Sequence, residues 1–307
     1  MAADAVTDID QYDRLPHQPS MIASRPKLVW PNKARLAVAF VVCGEYYEMQ
    51  PAADAFIPAN VPGGFGRAPY PDFRAFSQRE YGNRVGFFRV MQAFDERTLK
   101  ATAAIDESVA RRYPYLVRQC QERDWEIAAH GFSLTRVISS KMSEEAERAY
   151  IRSSIDQLEK ITGRKPRGWH SPEYGQSQRT PRLLAECGIE YVLDWPNDEQ
   201  PFLMLGETNR PLVSIAMALE LDDVISGWHR RLSMDRWRNA IRDAIDQLLN
   251  DGCSNARHLV INLHPWLIGH PHRIGYLEEV LDDVQKRSGI WLTTAGEISG
   301  YVRQTNR

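Results

Sequence analysis

From residue 35 onward, short strand-like apolar runs alternate with stretches of helical period, and few architectures satisfy that order. The strand-like runs are RLAVAFVV (35–42), LKATAAI (99–105), WEIAAH (125–130), RGWHS (167–171), IEYVLDW (189–195), LVSIAMAL (212–219), HLVINLH (258–264) and IWLTT (290–294). They are mostly apolar and partly β-branched, as strands buried on both faces are. In GNRVGFFRVMQAFDE, Val85, Phe88 and Met91 recur at helical spacing and form one apolar stripe. Ser143 reads as the N-cap of EEAERAYIRSSIDQLEKIT, with Glu144 and Glu145 favouring the positive end of the dipole and Gly163 at the stop. Thr180 and Pro181 open a further helix that Gly188 closes, and DRWRNAIRDAIDQLLNDG and IGYLEEVLDDVQKRSG complete the set. Repeated strand–helix alternation implies a parallel sheet, and eight candidate strands imply that it closes into a barrel.

Two regions stand outside this rhythm. Residues 1–30 are polar and Pro-spotted and read as an extended arm on the body or on a neighbouring subunit. The barrel domain then spans 31–307. Residues 51–75 hold five prolines and three glycines and fit neither strand nor helix. A loop this long inside a compact domain is usually a lid or a binding loop.

Composition excludes several functions. Net charge is −2 and basic residues gather nowhere, so nucleic acid is a poor partner. The four cysteines form no C-x-x-C pair, which fits a reducing compartment better than a disulfide framework. The N-terminus lacks the apolar core of a signal peptide, and no apolar run is long enough to span a bilayer. A cytoplasmic protein without a membrane partner is expected. A homo-oligomer (dimer or tetramer) is also expected, because a polar arm of this length cannot order itself alone.

The polar residues carry the functional signal. Enzymes on parallel barrels collect their reacting groups at the C-terminal ends of the strands. Those ends deliver Glu45, Asp106, His130, His170, Asp194, Glu220 with Asp222 and Asp223, and His264. The opposite ends offer fewer, namely Asp124, Glu190 and His258. Singly, each has a structural explanation: Asp106 reads as the cap of ESVARR, and a strand-end His is often a satisfied core residue. Seven of eight strands agreeing is the stronger observation. His270 and His272 read as residues of a surface loop.

Rival chemistries are less supported. There is no H-E-x-x-H, and the residue four after His130 is Leu134. Cys43 ends the first strand but reads as a buried core thiol. No G-x-S-x-G is present for a serine nucleophile.

Taken in order, RLAVAFVVCGEYYE, EYGNRVGFFR, WEIAAHGFSL, GWHSPEYGQSQRTPRLLAECG and LVINLHPWLIGHPHR resemble the polysaccharide deacetylase (NodB homology) superfamily over residues 26–300. The resemblance is strongest to the branch of metal-independent allantoinases, cyclic imide hydrolases and intracellular peptidoglycan-deacetylase-like proteins. It implies a distorted (β/α) barrel of seven or eight strands. Metal-dependent members carry an Asp-Asp pair after the first strand and H-[ST]-x-x-H after the third. Here Glu45 matches the first Asp, the base, and His130 the first His. Tyr46 and Leu134 stand at the two other ligand positions. SPEYG offers Glu173 where related small-amide hydrolases often place Arg. Asp194 falls in the fourth motif and His264 in the fifth.

The expected function is hydrolysis of a C–N bond in a small linear or cyclic amide, without a metal cofactor. Glu45 is expected to act as general base, His130 and His264 as donors, and Asp194 as the carboxylate that orients an imidazole. Tyr46, Tyr81, His170, Glu173, Trp195, Glu220, Asp223 and Trp266 are the expected substrate contacts. Two alternatives remain at this stage: a zinc- or other metal-dependent deacetylase of an N-acetylated amino sugar, and a catalytically inactive carbohydrate-binding protein.

Overall fold

The computed structural model describes residues 16–17, 19–53, 55, 71–204 and 211–305. Strand β1 (Leu36–Gly44) is buried at every position. Its sequence explains how it can be. Leu36, Val38, Phe40 and Val42 face outward into the main core, while Ala37, Ala39, Val41 and Cys43 face inward. Strand side chains alternate between faces, so the bulky set meets helices and the small set fills a narrow interior. Glu45 shares the inward parity of Cys43.

The other strands are β2 (Thr102–Ile105), β3 (Glu126–Ala129), β4 (Gly168–Trp169), β5 (Tyr191–Val192), β6 (Phe202–Met204), β7 (Leu212–Ser214), β8 (Arg257–Leu263) and β9 (Ile290–Thr293). The sheet order is β6-β7-β5-β4-β3-β2-β1-β8, with β9 also paired to β1. All eight runs identified from sequence contribute a strand. Strand β6 is an addition, antiparallel to β7. The sheet is curled, in the manner of the distorted (β/α) barrel expected. Among the described residues no ladder joins β7 to β8, and the Ala218 N–H to Val260 carbonyl bond (2.9 Å) bridges the gap.

The helices are α1 (Phe73–Tyr81), α2 (Phe87–Asp95), α3 (Glu107–Arg112), α4 (Pro114–Glu122), α5 (Glu144–Thr162), α6 (Thr180–Glu186), α7 (Met234–Asp251), α8 (Pro265–Ile268), α9 (Ile274–Lys286) and α10 (Ala295–Thr305). Their ends follow the expected signals. Ser143 Oγ accepts the Ala146 N–H (3.2 Å), and Gly163 turns the chain at φ +71°. Asp106 caps α3 through the Val109 N–H (2.6 Å). The described part of the N-terminal segment lies on the body: Trp30 is buried beside Trp291 and Tyr301, and its indole N–H donates to Arg257 O at 2.6 Å. The expected loop over 51–75 falls mostly outside the described residues.

Helices α1 and α2 run on through a wide turn, Gly82–Gly86, that seats the chain after β8. A Cβ on Gly86 would stand 2.1 Å from the Pro265 carbonyl oxygen, so only glycine permits this approach. Gly86→Ala is expected to destabilise the fold by about 1–3 kcal/mol, the usual cost of overpacking. Urea unfolding checks this, and an unchanged midpoint would contradict it.

Candidate active site

At the C-terminal end of the sheet, neighbouring strands bring separate motifs together. Glu45 follows β1 and His264 follows β8, which pair in parallel with Val42 opposite Leu263. His130 follows β3, two strands away on the other side. The Glu45 carboxylate is buried, with Oε1 3.6 Å from His130 Nε2 and 3.7 Å from His264 Nε2. Its main-chain carbonyl accepts from Asn83 Nδ2 at 2.7 Å, which ties it to the Gly82–Gly86 turn.

The two imidazoles are held in different ways. His130 Nδ1 lies 2.7 Å from the His170 carbonyl oxygen. A carbonyl only accepts, so Nδ1 carries the hydrogen and the neutral ring keeps a lone pair on Nε2. That Nε2 is buried without a hydrogen-bond partner. His264 Nδ1 sits 2.7 Å from Asp223 Oδ1, and the His264 main-chain N–H also donates to Asp223 (3.0 Å). Asp222 lies 3.7 Å from the same Nδ1. Asp222 in turn accepts from Tyr174 Oη, Asn262 Nδ2 and two backbone N–H groups, at 2.8–3.0 Å.

Charge follows from this geometry. Burial alone would push the Glu45 carboxyl up. The charge on His264, the His130 imidazole and Arg79 outweigh burial and bring it down to about 2. Burial alone would lower His264, yet Asp222, Glu45 and Asp223 outweigh it and raise the imidazole well above its ordinary value. At neutral pH the site therefore holds a carboxylate facing an imidazolium, with the His130 ring beside them. Burial pushes the Cys43 thiol up to about 12, so it is no nucleophile, and it is hydrogen-bonded to Asn262 Oδ1 at 3.1 Å.

Glu45, His130, Asp222 and His264 line a cavity of about 40 Å³ together with Arg79, Leu134, His170, Glu173, Tyr174 and Trp266. Arg79 reaches it from α1, its guanidinium 3.6 Å from the centre of the Trp266 ring. Glu173 and Tyr174 both have left-handed backbone (φ +53° and +56°), uncommon for residues with a Cβ. This turn presents Glu173 at the rim and carries Tyr174 inward to Asp222.

Several expected site residues lie elsewhere. Asp194 binds His170 Nδ1 (3.0 Å) and the Ser171 N–H (2.7 Å), so it orients His170, whose ring stacks on His130. The carboxylate that orients the His264 ring is Asp223, expected as a substrate contact. Tyr46 packs beside Phe76 and under Arg112. Tyr81 stacks on His270, and Trp195 donates to Gln176 Oε1 (2.9 Å). Glu220 is exposed and pairs with Arg230. None of these last four lines the cavity. Sequence reasoning missed Arg79, Tyr174 and Asn262, and gave Asp222 no role.

The donor set departs from the one that the resemblance implies for metal-dependent members of the superfamily. Of the matching positions, Glu45 and His130 remain as donors. The Tyr46 ring is packed against Phe76, and Leu134 puts an apolar side chain on the cavity wall. Among the described residues, three sets have donor atoms within 4.8 Å of one another: Cys43, Glu45 and His264; Cys43, His130 and His170; and Asp222, Asp223 and His264. An ion in the first would have to displace the protons of the thiol and of the imidazole. The Arg79 and His264 cations oppose a further positive charge in the same space.

Residues 80–192 match the model of the polysaccharide deacetylase family. A Schizosaccharomyces pombe protein assigned by name to the polysaccharide deacetylases is 26% identical over 88% of this chain and 91% of its own. A solved structure from Pseudomonas aeruginosa PAO1, named in the same way, superposes with a TM-score of 0.82 at 25% identity, covering 91% of this chain and 95% of that one. The PuuE allantoinase structure superposes with a TM-score of 0.84 over 99% of both chains; at 24% identity that likeness is one of fold.

Proposed function

We propose that this chain, whose residues 80–192 match the polysaccharide deacetylase model, hydrolyses a C–N bond of a small linear or cyclic amide without a metal ion. The observation that carries this reading is the opposed pair: an ionised Glu45 and a protonated His264, 3.7 Å apart in one buried cavity. The relatives' names support a hydrolase of carbon–nitrogen bonds.

Glu45 and His264 hold each other's proton affinities apart, and the reaction relaxes both. Water bound between Glu45 and His130 Nε2 attacks the amide carbonyl. The C–O bond forms as the water proton passes to Glu45, and His264 donates to the oxygen or to the leaving nitrogen. The C–N bond then breaks as the nitrogen takes a proton from His264 or from the newly protonated Glu45, giving an acid and an amine, or an acid and an amide in one molecule from a cyclic imide. A carboxyl as acidic as free Glu45 is a weak base. Its proton affinity rises as His264 gives up its charge, so the two transfers assist one another. The cavity admits water-sized occupants, so a substrate enters by widening the rim. A small or ring-shaped amide demands less widening than a sugar polymer.

The test is a turnover screen across cyclic imides, hydantoins, ureides, linear amides and acetylated amino sugars, run with and without chelator. Hydrolysis of a small amide that chelator leaves unchanged is expected. Activity lost to chelator and restored by zinc would overturn the metal-free mechanism, and silence across every amide class would overturn the function.

A further inference from the structure

Three polar atoms of the cavity-lining residues are buried without a hydrogen-bond partner among the described residues: His130 Nε2, Arg79 Nε and Trp266 Nε1. Buried polar groups in native proteins are almost always paired, so each such atom calls for an explanation. The proposed reaction uses His130 Nε2. It gives no task to the other two, both of which are obligate donors.

Arg79 and Trp266 belong together. The guanidinium lies over the indole ring at 3.6 Å, which fixes its plane and spends its face on a cation–π contact. Gly82, one turn further along from α1, has room for no Cβ against the Trp266 backbone (2.7 Å from its N), so α1 and the indole are locked in register. Desolvation weighs on the cation, while the Glu45 and Glu173 carboxyl groups favour its charge. Yet no hydrogen bond fixes the Arg79 side chain among the described residues. A structural arginine would close on a carboxylate as a fork. This one is held by stacking and keeps its donors for something else.

We propose that Arg79, positioned by Trp266, is a specificity-determining residue that binds an oxygen of the substrate other than the carbonyl oxygen under attack. The idea rests on the function proposed above and adds a requirement to it: a substrate with a second acceptor within reach of Arg79. A ligand lacking that oxygen leaves a charged donor buried and unpaired. A charge-assisted hydrogen bond is worth about 10- to 100-fold in affinity at such a site.

Succinimide and 2-pyrrolidinone are five-membered rings that differ by one carbonyl oxygen and serve as probes. Titration calorimetry, or inhibition of turnover, is expected to show succinimide bound about 10- to 100-fold more tightly by the wild-type protein. In Arg79→Gln that ratio is expected to collapse towards one. Trp266→Phe keeps an aromatic ring beneath the cation and should lose only part of the ratio. If Arg79 merely kept Glu45 ionised, Arg79→Gln would lower kcat for every substrate and leave the ratio intact, which overturns the proposal. So does equal or absent binding of both probes by the wild type. Circular dichroism confirms that each variant is folded. A wild-type ratio that collapses in Arg79→Gln, without any amide turnover, would sink the hydrolase reading and leave the Arg79 assignment standing. Turnover without a ratio would do the reverse.

Discussion

Glu45→Gln is expected to lower kcat by about 10²–10⁴-fold, the usual worth of a general base, while KM changes far less. The substitution keeps the shape and removes the proton acceptor. It also removes one of the anions that hold the His264 proton in place, so the surviving activity should fall off at lower pH than in the wild type. The wild-type profile has an unusual form on the acid side. With Glu45 at about 2, its protonation lies below any working range, so no acidic limb from this group is expected between pH 4 and neutrality. Steady-state kinetics on the best substrate of the turnover screen measure all three effects. A variant that keeps more than about a tenth of wild-type kcat would transfer the base to another group, His130 first.

The strand-end residues were legible because sequence period fixes them. The large–small alternation of LAVAFVVC sets which face of β1 looks inward, and with it the direction of Glu45. His130 and His264 end strands of the same parallel sheet, so the sheet itself carries them to one rim. What sequence leaves open is lateral order. Asp194 follows β5, and β5 lies against β4, so its carboxylate meets His170 rather than a ring across the mouth. Asp222 and Asp223 stand after an irregular stretch beyond β7, where no period says which carboxylate turns to which imidazole. Arg79 was hidden for another reason. It arrives sideways from α1, just after the Pro- and Gly-rich stretch, and nothing in a helical pattern marks one arginine among several as facing a cavity. Strand β6 escaped because three residues in QPFLMLG carry too little alternation to separate a strand from a loop.

Asp223→Asn tests the other half of the proton pair and is expected to cost about 10²–10⁴-fold in kcat, the range of general acid–base catalysis. Asp223 accepts from both the ring Nδ1 and the main-chain N–H of His264. An asparagine keeps Oδ1, which accepts from both donors, but it loses the negative charge and sets an NH₂ group against the main-chain N–H in place of Oδ2. The proton on the His264 ring then loses one of the anions that hold it, and less of the imidazolium faces Glu45. The sign of the pH effect separates this from simple loss of packing. His264 is raised above its ordinary value in the folded protein. Its protonated form is therefore present at neutral pH, and both the activity and the stability that depend on it are lost as pH rises through the folded value. Removing one of its three carboxylate neighbours lowers that value, so the alkaline limb of kcat must move towards neutrality. The stability of the variant should begin to decline at lower pH for the same reason. Thermal unfolding followed from pH 6 to 10, together with the kcat profile, provides both readings. A variant whose alkaline limb stays in place while kcat drops would show that Asp223 acts on position alone, and the acid would then have to be sought elsewhere in the cavity.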